Sequence, residues 1–205
     1  SWSKLKKIEV LVNWLGNPEA KPCSIDLRKT VFFKRKIIVY TGNMGVAQGV
    51  DVFLQLAEFY KNDVSLGFLF VGRGSELESL KQIKRNSFLD NVMFFDEISP
   101  SEIIDLYSQC TIGLLALAPN HKLHNIPGKF ISYMQNGLPC LAVVNDGNDL
   151  NKLIDKYQVG QVVDTRNFVK IVKAFQKLLE DCDKDAGISR RCLNMFNERY
   201  SASKA

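Results

Sequence analysis

Hydrophobic and polar positions alternate along the chain in blocks, so that short apolar runs are followed by stretches with a helical repeat. Residues 65–71 read SLGFLFV, a nearly continuous apolar run of the kind that is buried on both faces of a parallel sheet. The apolar residues after position 49 instead recur at i, i+3, i+4 and i+7, which predicts a helix over residues 49–61. They are Val50, Phe53, Leu54 and Ala57. This change from a short run to a helical repeat happens about six times.

Seven apolar segments are predicted to be strands. They cover residues 8–12, 36–40, 65–71, 91–95, 111–115, 140–144 and 161–163. Pro100 and Pro127 are expected at the first position of the helices that they open, with Ser99 as an N-cap, and Gly137 is expected after the last helical turn. Ser75 followed by Glu78 indicates a capping box.

The alternation of strands and helices predicts the fold class. It implies βαβ units with right-handed crossovers, hence an α/β fold with a Rossmann-like, doubly wound and mostly parallel sheet. Ligands of such sheets bind beyond the carboxyl ends of the strands. Four loops follow strands here: the first loop (residues 41–48), the second (72–74), the third (95–98) and the fourth (121–129). We expect them to cluster at one edge.

Composition and charge narrow the class of protein. The 205 residues, 46% of them hydrophobic, suffice for one domain with a full core, and no apolar run approaches the ~20 residues of a membrane span. The N-terminal SWSKLKKIEV lacks the pattern of a signal peptide, and five cysteines without a C-x-x-C pair indicate reduced thiols, so we expect a cytoplasmic protein. The net charge of +5 fits an anionic ligand, an anionic membrane or a solvated face. Without interleaved aromatic residues it does not favour nucleic-acid binding.

The first loop has the glycine spacing of a turn that approaches a ligand closely. Gly42, Gly45 and Gly49 let the backbone turn, and the free N–H groups of the following helix would attract a phosphate. The spacing does not fit G-x-G-x-x-G, and no G-K-[ST] follows, so a dinucleotide site and a P-loop are disfavoured. An ordinary strand-to-helix turn remains the alternative.

The series TGNMGVAQG, FLFVGRG, NVMFFDEIS and PGKFISYMQNGLPCLA resembles a known family. It is similar to the C-terminal, donor-binding half of a retaining glycosyltransferase of the GT-B fold, family 4. The resemblance covers residues 37–163, and its most specific part is P-x-K-x-x-x-Y-M-x-x-G-x-P between Pro127 and Pro139. The chain looks most like bacterial O-antigen and capsule enzymes, some of which transfer N-acetylated deoxy sugars such as N-acetylfucosamine.

The resemblance implies a domain organisation and partners. Residues 1–35 would be the interdomain segment and connector, and residues 36–205 the donor-binding domain with its C-terminal helices. The donor would be a UDP-sugar, in particular a UDP-N-acetylhexosamine or a deoxy relative, bound without a metal or other cofactor. An N-terminal domain outside these 205 residues would bring a glycan or polyprenyl-linked acceptor. The full-length enzyme would associate peripherally with the inner face of the membrane.

The chain departs from the family pattern at four positions. An arginine and a lysine that usually hold the diphosphate are replaced by Asn43 and Gln48, and two glutamates separated by seven residues are replaced by His124 and Ser132. These losses leave open a non-catalytic nucleotide-binding or interaction module, while a UDP-sugar epimerase-like enzyme is the rival within enzymes. We favour redistributed roles, because Lys129 falls where the distal phosphate should lie.

Stabilising the charge of the leaving diphosphate is the main catalytic task of such a site. We assign it to Lys129, assisted by the side-chain amides of Asn43 and Gln48. An exposed lysine at this helix N-terminus is the alternative, which the helix dipole disfavours by roughly 0.3–1 kcal/mol. The predicted nucleotide-sugar-binding residues are Gly42, Gly45, Val46, Gly72, Arg73, Gly74, Ile98, His124, Gly128 and Ser132.

Three of these residues have open alternatives. Arg73 would lie near the ribose, or it is a solvated cation. Ile98 would hold the nucleobase, but it could equally pack against the following helix. His124 would contact the donor sugar, or it is an ordinary loop histidine. A metal site formed by His121 and His124 is disfavoured, because no third good ligand lies nearby in the sequence.

Overall fold

The computed structural model describes residues 19–119 and 126–201, and within them six strands form one parallel sheet. The strands are β1 Lys36–Thr41, β2 Leu66–Val71, β3 Val92–Phe95, β4 Ile112–Ala116, β5 Cys140–Val143 and β6 Gly160–Val163. Their order across the sheet is β3-β2-β1-β4-β5-β6, with every neighbouring pair parallel. This is the order of a doubly wound Rossmann-like sheet, which confirms the predicted fold class. The strand expected at residues 8–12 lies outside the described residues.

Seven α-helices of the described residues cover the two faces of the sheet. They are α1 Asp51–Phe59, α2 Leu77–Asn86, α3 Ile103–Ser108, α4 Gly128–Gln135, α5 Leu150–Tyr157, α6 Phe168–Lys184 and α7 Ile188–Arg199. Helices α1, α2 and α6 contribute to the core on one face, and α3, α4, α5 and α7 contribute to the core on the other. None of the described helices has the length and apolar character that crossing a bilayer requires.

The interior strand β2 shows why the apolar runs become strands. All six of its residues are buried. Because successive side chains point to opposite faces, Phe68 and Phe70 enter the core beneath α1, α2 and α6, while Leu69 and Val71 enter the core beneath α3, α4, α5 and α7. A strand covered on both faces has no polar positions, as predicted for residues 65–71.

Several predicted helix starts are wrong by a few residues. The helix expected from residue 49 begins at Asp51, after a three-residue 3-10 turn, Val46–Gln48. Helix α2 begins at Leu77 without a side-chain cap, so the predicted capping box is absent, and the carboxylate of Glu78 pairs with Lys81 instead. Helix α4 begins at Gly128, which makes Pro127 its N-cap rather than its first residue.

Helix α3 begins at Ile103 rather than at Pro100, because a turn precedes it. The backbone N–H of Ser99 donates to the carboxylate of Glu102 at 3.1 Å, and the N–H of Ser24 donates to the other oxygen at 2.8 Å. Hydrogen bonds from Ser24 and Ser99 hold the pKa of Glu102 at about 2. A further hydrogen bond joins the connector to α3, from Cys23 N–H to the carboxylate of Asp105 at 2.7 Å. The described part of the connector therefore lies along α3.

Candidate functional site

The loops after β1, β2 and β3 meet the start of α4 at the carboxyl edge of the sheet. They surround a cavity of about 360 Å³, which we call the edge pocket. Its lining residues are Thr41, Gly42, Val71, Glu97, Ile98, Pro100, Ile103, Tyr107, Gly128, Lys129 and Ser132. The pocket lies beside the carboxyl end of β1, the strand that has β2 as its neighbour on one side and β4 on the other. Doubly wound sheets bind their ligands at such a point.

One side of the edge pocket is apolar. It is formed by Val71, Ile98, Pro100 and Ile103. Ile98 is half-buried against the core as well as lining the pocket, so both interpretations of this residue fit its position. A flat apolar wall of this kind can hold an aromatic base.

The other side of the pocket carries hydroxyl groups and an amine. The hydroxyls of Thr41 and Tyr107 are 2.6 Å apart, and the Tyr107 hydroxyl also interacts with the side chain of Ser132. Burial raises the pKa of Tyr107, so this hydroxyl stays protonated. Ser132, predicted from the sequence, therefore belongs to a small hydroxyl network that includes two residues the sequence analysis missed.

Lys129 is the cationic group of the edge pocket. Its Nζ lies 3.3 Å from the centroid of the Tyr40 ring, and its side chain passes close to Gly42, where a Cβ would be 3.8 Å from Lys129 Cε. Burial lowers the pKa of Lys129 to about 7, and no carboxylate of the described residues is among the groups that shift this pKa. The half-buried side chain excludes the alternative of an exposed lysine. An anion in the pocket would restore its charge.

The first loop presents backbone donors. Within the described residues, the N–H groups of Gly45, Val46 and Ala47 donate no hydrogen bond. These groups belong to a short turn rather than to the start of a long helix, so the expected contribution of a helix dipole at Gly45 is wrong. Asn43 and Gln48 donate and accept between themselves, with Asn43 Nδ2 at 3.2 Å from Gln48 Oε1. Neither side chain lines the edge pocket.

The second loop packs against the first loop and is hydrogen-bonded to it. Met44 N–H donates to the carbonyl of Arg73 at 2.7 Å, and Glu76 N–H donates to the carbonyl of Met44 at 3.0 Å. A Cβ on Gly72 would lie 2.1 Å from the Gly42 oxygen, and one on Gly74 would lie 2.4 Å from the Met44 carbonyl. Both glycines therefore allow two loops to approach each other, and their contact with a ligand stays a prediction.

Arg73 is not among the residues that line the edge pocket. Its side chain is 80% exposed and forms an ion pair with Glu97 at 2.9 Å. Glu97, which no sequence motif indicates, does line the pocket. Arg73 is therefore joined to the pocket through this carboxylate, and its contact with a ligand stays a prediction.

The N-terminal turn of α4 contributes Gly128, Lys129 and Ser132 to one side of the pocket. No atom lies within 4 Å of a Cβ placed on Gly128, so the backbone here is open to the cavity. His124, and with it the interpretation of His121 and His124 as a metal pair, lies outside the described residues. In residues 19–119 and 126–201, no group of three or more histidine, cysteine or acidic residues could hold a metal.

Solved glycosyltransferase structures have the same fold. S. aureus TarM, crystallised with UDP, alpha-GlcNAc-glycerol and Fondaparinux, matches 94% of this chain over 36% of its own length, with a TM-score of 0.70 and 14% identity. HepE of Anabaena, in complex with UDP and glucose, matches 87% of this chain and 48% of its own, with a TM-score of 0.71 and 16% identity. WaaG, involved in lipopolysaccharide biosynthesis, matches 80% of this chain and 43% of its own, with a TM-score of 0.65 and 13% identity.

Two sequence comparisons agree with this fold. WbjE of Pseudomonas aeruginosa, a probable glycosyltransferase, is 22% identical over 167 residues, which are 81% of this chain and 42% of WbjE. The chain thus spans less than half the length of this curated relative. The model of the family described as glycosyl transferases group 1 matches residues 35–181, which is most of the chain. With the Rossmann-like sheet and the pocket at its carboxyl edge, this match shows that the chain belongs to the glycosyl transferases group 1 family.

Proposed function

We propose that this chain is the donor-binding domain of a glycosyltransferase and that the edge pocket holds the nucleotide of a UDP-sugar. The observation that carries the proposal is Lys129, a half-buried amine over the Tyr40 ring whose burial lowers its pKa to about 7. A buried amine without an anionic partner is costly, whereas a diphosphate in the pocket would provide the missing negative charge.

The two sides of the pocket suit the two ends of a nucleoside diphosphate. The base would lie against Ile98 and Pro100, and the diphosphate would lie between the N–H groups of the first loop and Lys129. The apolar wall suits the base, and Lys129 on the other side of the pocket can donate to a phosphate. TarM and HepE, which share the fold, were both solved with UDP.

The proposed chemistry is retaining transfer of the sugar. As the bond to the sugar breaks, negative charge grows on the leaving diphosphate oxygen, and Lys129 would stabilise it with a charge-assisted hydrogen bond. Asn43 and Gln48 would turn their amides from each other towards the diphosphate, since their mutual bond of 3.2 Å lies beside the free N–H groups of the loop.

The donor and acceptor follow from the resemblance and from the relatives. We propose a UDP-N-acetylhexosamine or a deoxy relative of the fucosamine type, and transfer to a surface polysaccharide or polyprenyl-linked acceptor at the inner face of the membrane. The acceptor would be bound by a further domain, because the chain spans less than half of WbjE. Placement in family 4 and in O-antigen or capsule biosynthesis is part of the same proposal.

Calorimetric titration tests the proposal. UDP and UDP-N-acetylglucosamine should bind the 205-residue chain without added metal, UMP more weakly, and ADP more weakly than UDP. Absence of binding by every uridine nucleotide would contradict the proposal.

A second candidate is a nucleotide-binding module without catalysis. It is favoured by the neutral side chains at Asn43, Gln48 and Ser132, where the family pattern has two cations and a glutamate. This candidate predicts UDP binding by the full-length protein with no sugar transfer. An epimerase-like enzyme would instead interconvert UDP-sugars without an acceptor.

A further inference from the structure

Arg166 connects the two loops that flank the centre of the sheet. It lies between β6 and α6, far along the chain from the edge pocket. Its Nη2 donates to the carbonyl of Gly49 at 3.0 Å and to the carbonyl of Leu117 at 3.4 Å. One guanidinium group therefore joins the end of the first loop to the segment that follows β4.

The same guanidinium also reaches the start of α1. Its Nη1 lies 3.2 Å from Asp51 Oδ1, so it contacts the carbonyl before this helix and a carboxylate in its first turn. A Cβ on Gly49 would lie 1.8 Å from Arg166 Nη2 and 3.3 Å from the Cα of Ala118. Gly49 has φ +54, a backbone conformation that favours glycine. A glycine here therefore permits both the turn and the close approach of the guanidinium.

The turn that Arg166 contacts is otherwise weakly held. The 3-10 turn Val46–Gln48 has no side-chain cap, and its C-cap is Gly49. Among the described residues, one backbone hydrogen bond joins this turn to the segment that follows β4, from Ala118 N–H to the Ala47 carbonyl at 2.9 Å. Arg166 adds a charged donor at the residue that ends the turn, and charge-assisted hydrogen bonds are about twice as strong as neutral ones.

We propose that Arg166 is a positioning residue that holds the first loop in the conformation in which the N–H groups of Gly45, Val46 and Ala47 face the diphosphate. Arg166 acts through the loop rather than on the ligand, because its two Nη atoms are engaged by the carbonyls of Gly49 and Leu117 and by the carboxylate of Asp51. The inference rests on the proposed function. It also makes a separate claim, because Arg166 acts on phosphate recognition and leaves recognition of the nucleoside unchanged.

The test compares two ligands on the full 205-residue chain. UDP affinity is measured by calorimetry, and uridine affinity is measured by NMR titration, for wild type, Arg166→Ala and Arg166→Lys. We expect Arg166→Ala to weaken UDP binding at least tenfold and uridine binding less than twofold. Arg166→Lys, which keeps the charge but not both hydrogen bonds, should lose an intermediate amount. Millimolar guanidinium should restore most of the UDP affinity of Arg166→Ala and have no such effect on wild type.

Asp51→Asn is the matched control, because it removes the ion pair and leaves the bond from Nη2 to Gly49. Its UDP affinity should stay within twofold of wild type. Equal UDP affinity in wild type and Arg166→Ala, or an equal loss of UDP and uridine affinity, would overturn the inference. If Arg166→Ala does not fold, faster amide hydrogen exchange at Gln48 and Gly49 in folded Arg166→Lys is the expected result, and unchanged exchange overturns the inference. Failure of wild type to bind UDP would overturn the proposed function itself.

Discussion

Replacing Lys129 tests the account of the edge pocket in the most detail. The Lys129→Met variant keeps an unbranched side chain over Tyr40 and removes the amine that we place on the diphosphate. A hydrogen bond to a charged group contributes about 1.5–3 kcal/mol, so UDP affinity should fall by about 10- to 150-fold. UMP, which lacks the distal phosphate, should lose less. Asn43→Ala and Gln48→Ala should each cost less than Lys129→Met, because their amides are neutral.

The pKa of Lys129 adds a dependence on pH. With a pKa of about 7 in the free protein, the ammonium form that binds the diphosphate becomes a minority species above neutral pH. Affinity falls with the competent fraction, so UDP binding should weaken about fivefold from pH 7 to pH 8. Binding should then take up close to one proton at pH 8. Calorimetry in buffers of different ionisation enthalpy measures this uptake.

Two variants separate this effect from other titrations. Lys129→Met should bind UDP equally at pH 7 and pH 8, and the phosphate groups of UDP, with a pKa near 6, are already ionised over this range. Lys152→Met, which changes an 86% exposed lysine beside Asp149, should behave like wild type. A steep pH dependence that survives in Lys129→Met, or unchanged UDP affinity in that variant, would refute the reasoning.

Three further predictions concern stability and activity. Because the folded-state pKa of Lys129 is lowered below its usual value, the buried cation destabilises wild type most below pH 7, and wild-type stability should rise as pH increases from 7 towards 10.5. Urea unfolding should show that Lys129→Met is more stable than wild type at pH 6, by an amount that shrinks at higher pH. Gly72→Ala should destabilise the fold by more than ~2 kcal/mol in the same assay, because φ at this position is +145 and the new Cβ would collide with the Gly42 carbonyl. Gly128→Ala serves as the control, because there is open space at its Cβ. The 205-residue chain alone should bind UDP yet transfer no sugar to an acceptor, a result that substantial transfer in a radiolabel assay would contradict.

Local periodicity was sufficient to predict most of the fold. The wrong predictions fall where contacts between distant segments determine the local structure. The strand at residues 65–71 was predictable because a strand covered on both faces needs apolar residues at every position. The start of α3 was not, because Glu102 is shared by Ser99 and by Ser24, which lies far away in the chain. No local pattern reports such a bond.

The same distinction holds for the site. Lys129 could be assigned to the pocket from its motif. Its burial could not be predicted, because the Tyr40 ring that its amine contacts belongs to β1, which is distant in the sequence. Thr41 and Tyr107 were missed because a threonine that ends a strand and a tyrosine on a helix usually pack without a ligand. Arg166 has no motif at all. Its contacts become apparent only in the structure, where the segments that follow β6 and β4 meet the end of the first loop.

The position of UDP is the most direct test of the central claim. Backbone amide shifts of isotope-labelled protein, followed by NMR as UDP is added, report which residues the nucleotide contacts. The account predicts the largest changes at Gly45, Val46, Ile98, Gly128 and Lys129, which lie in the first and third loops and at the start of α4. Saturable changes that occur elsewhere and spare Gly45 and Lys129 would contradict it.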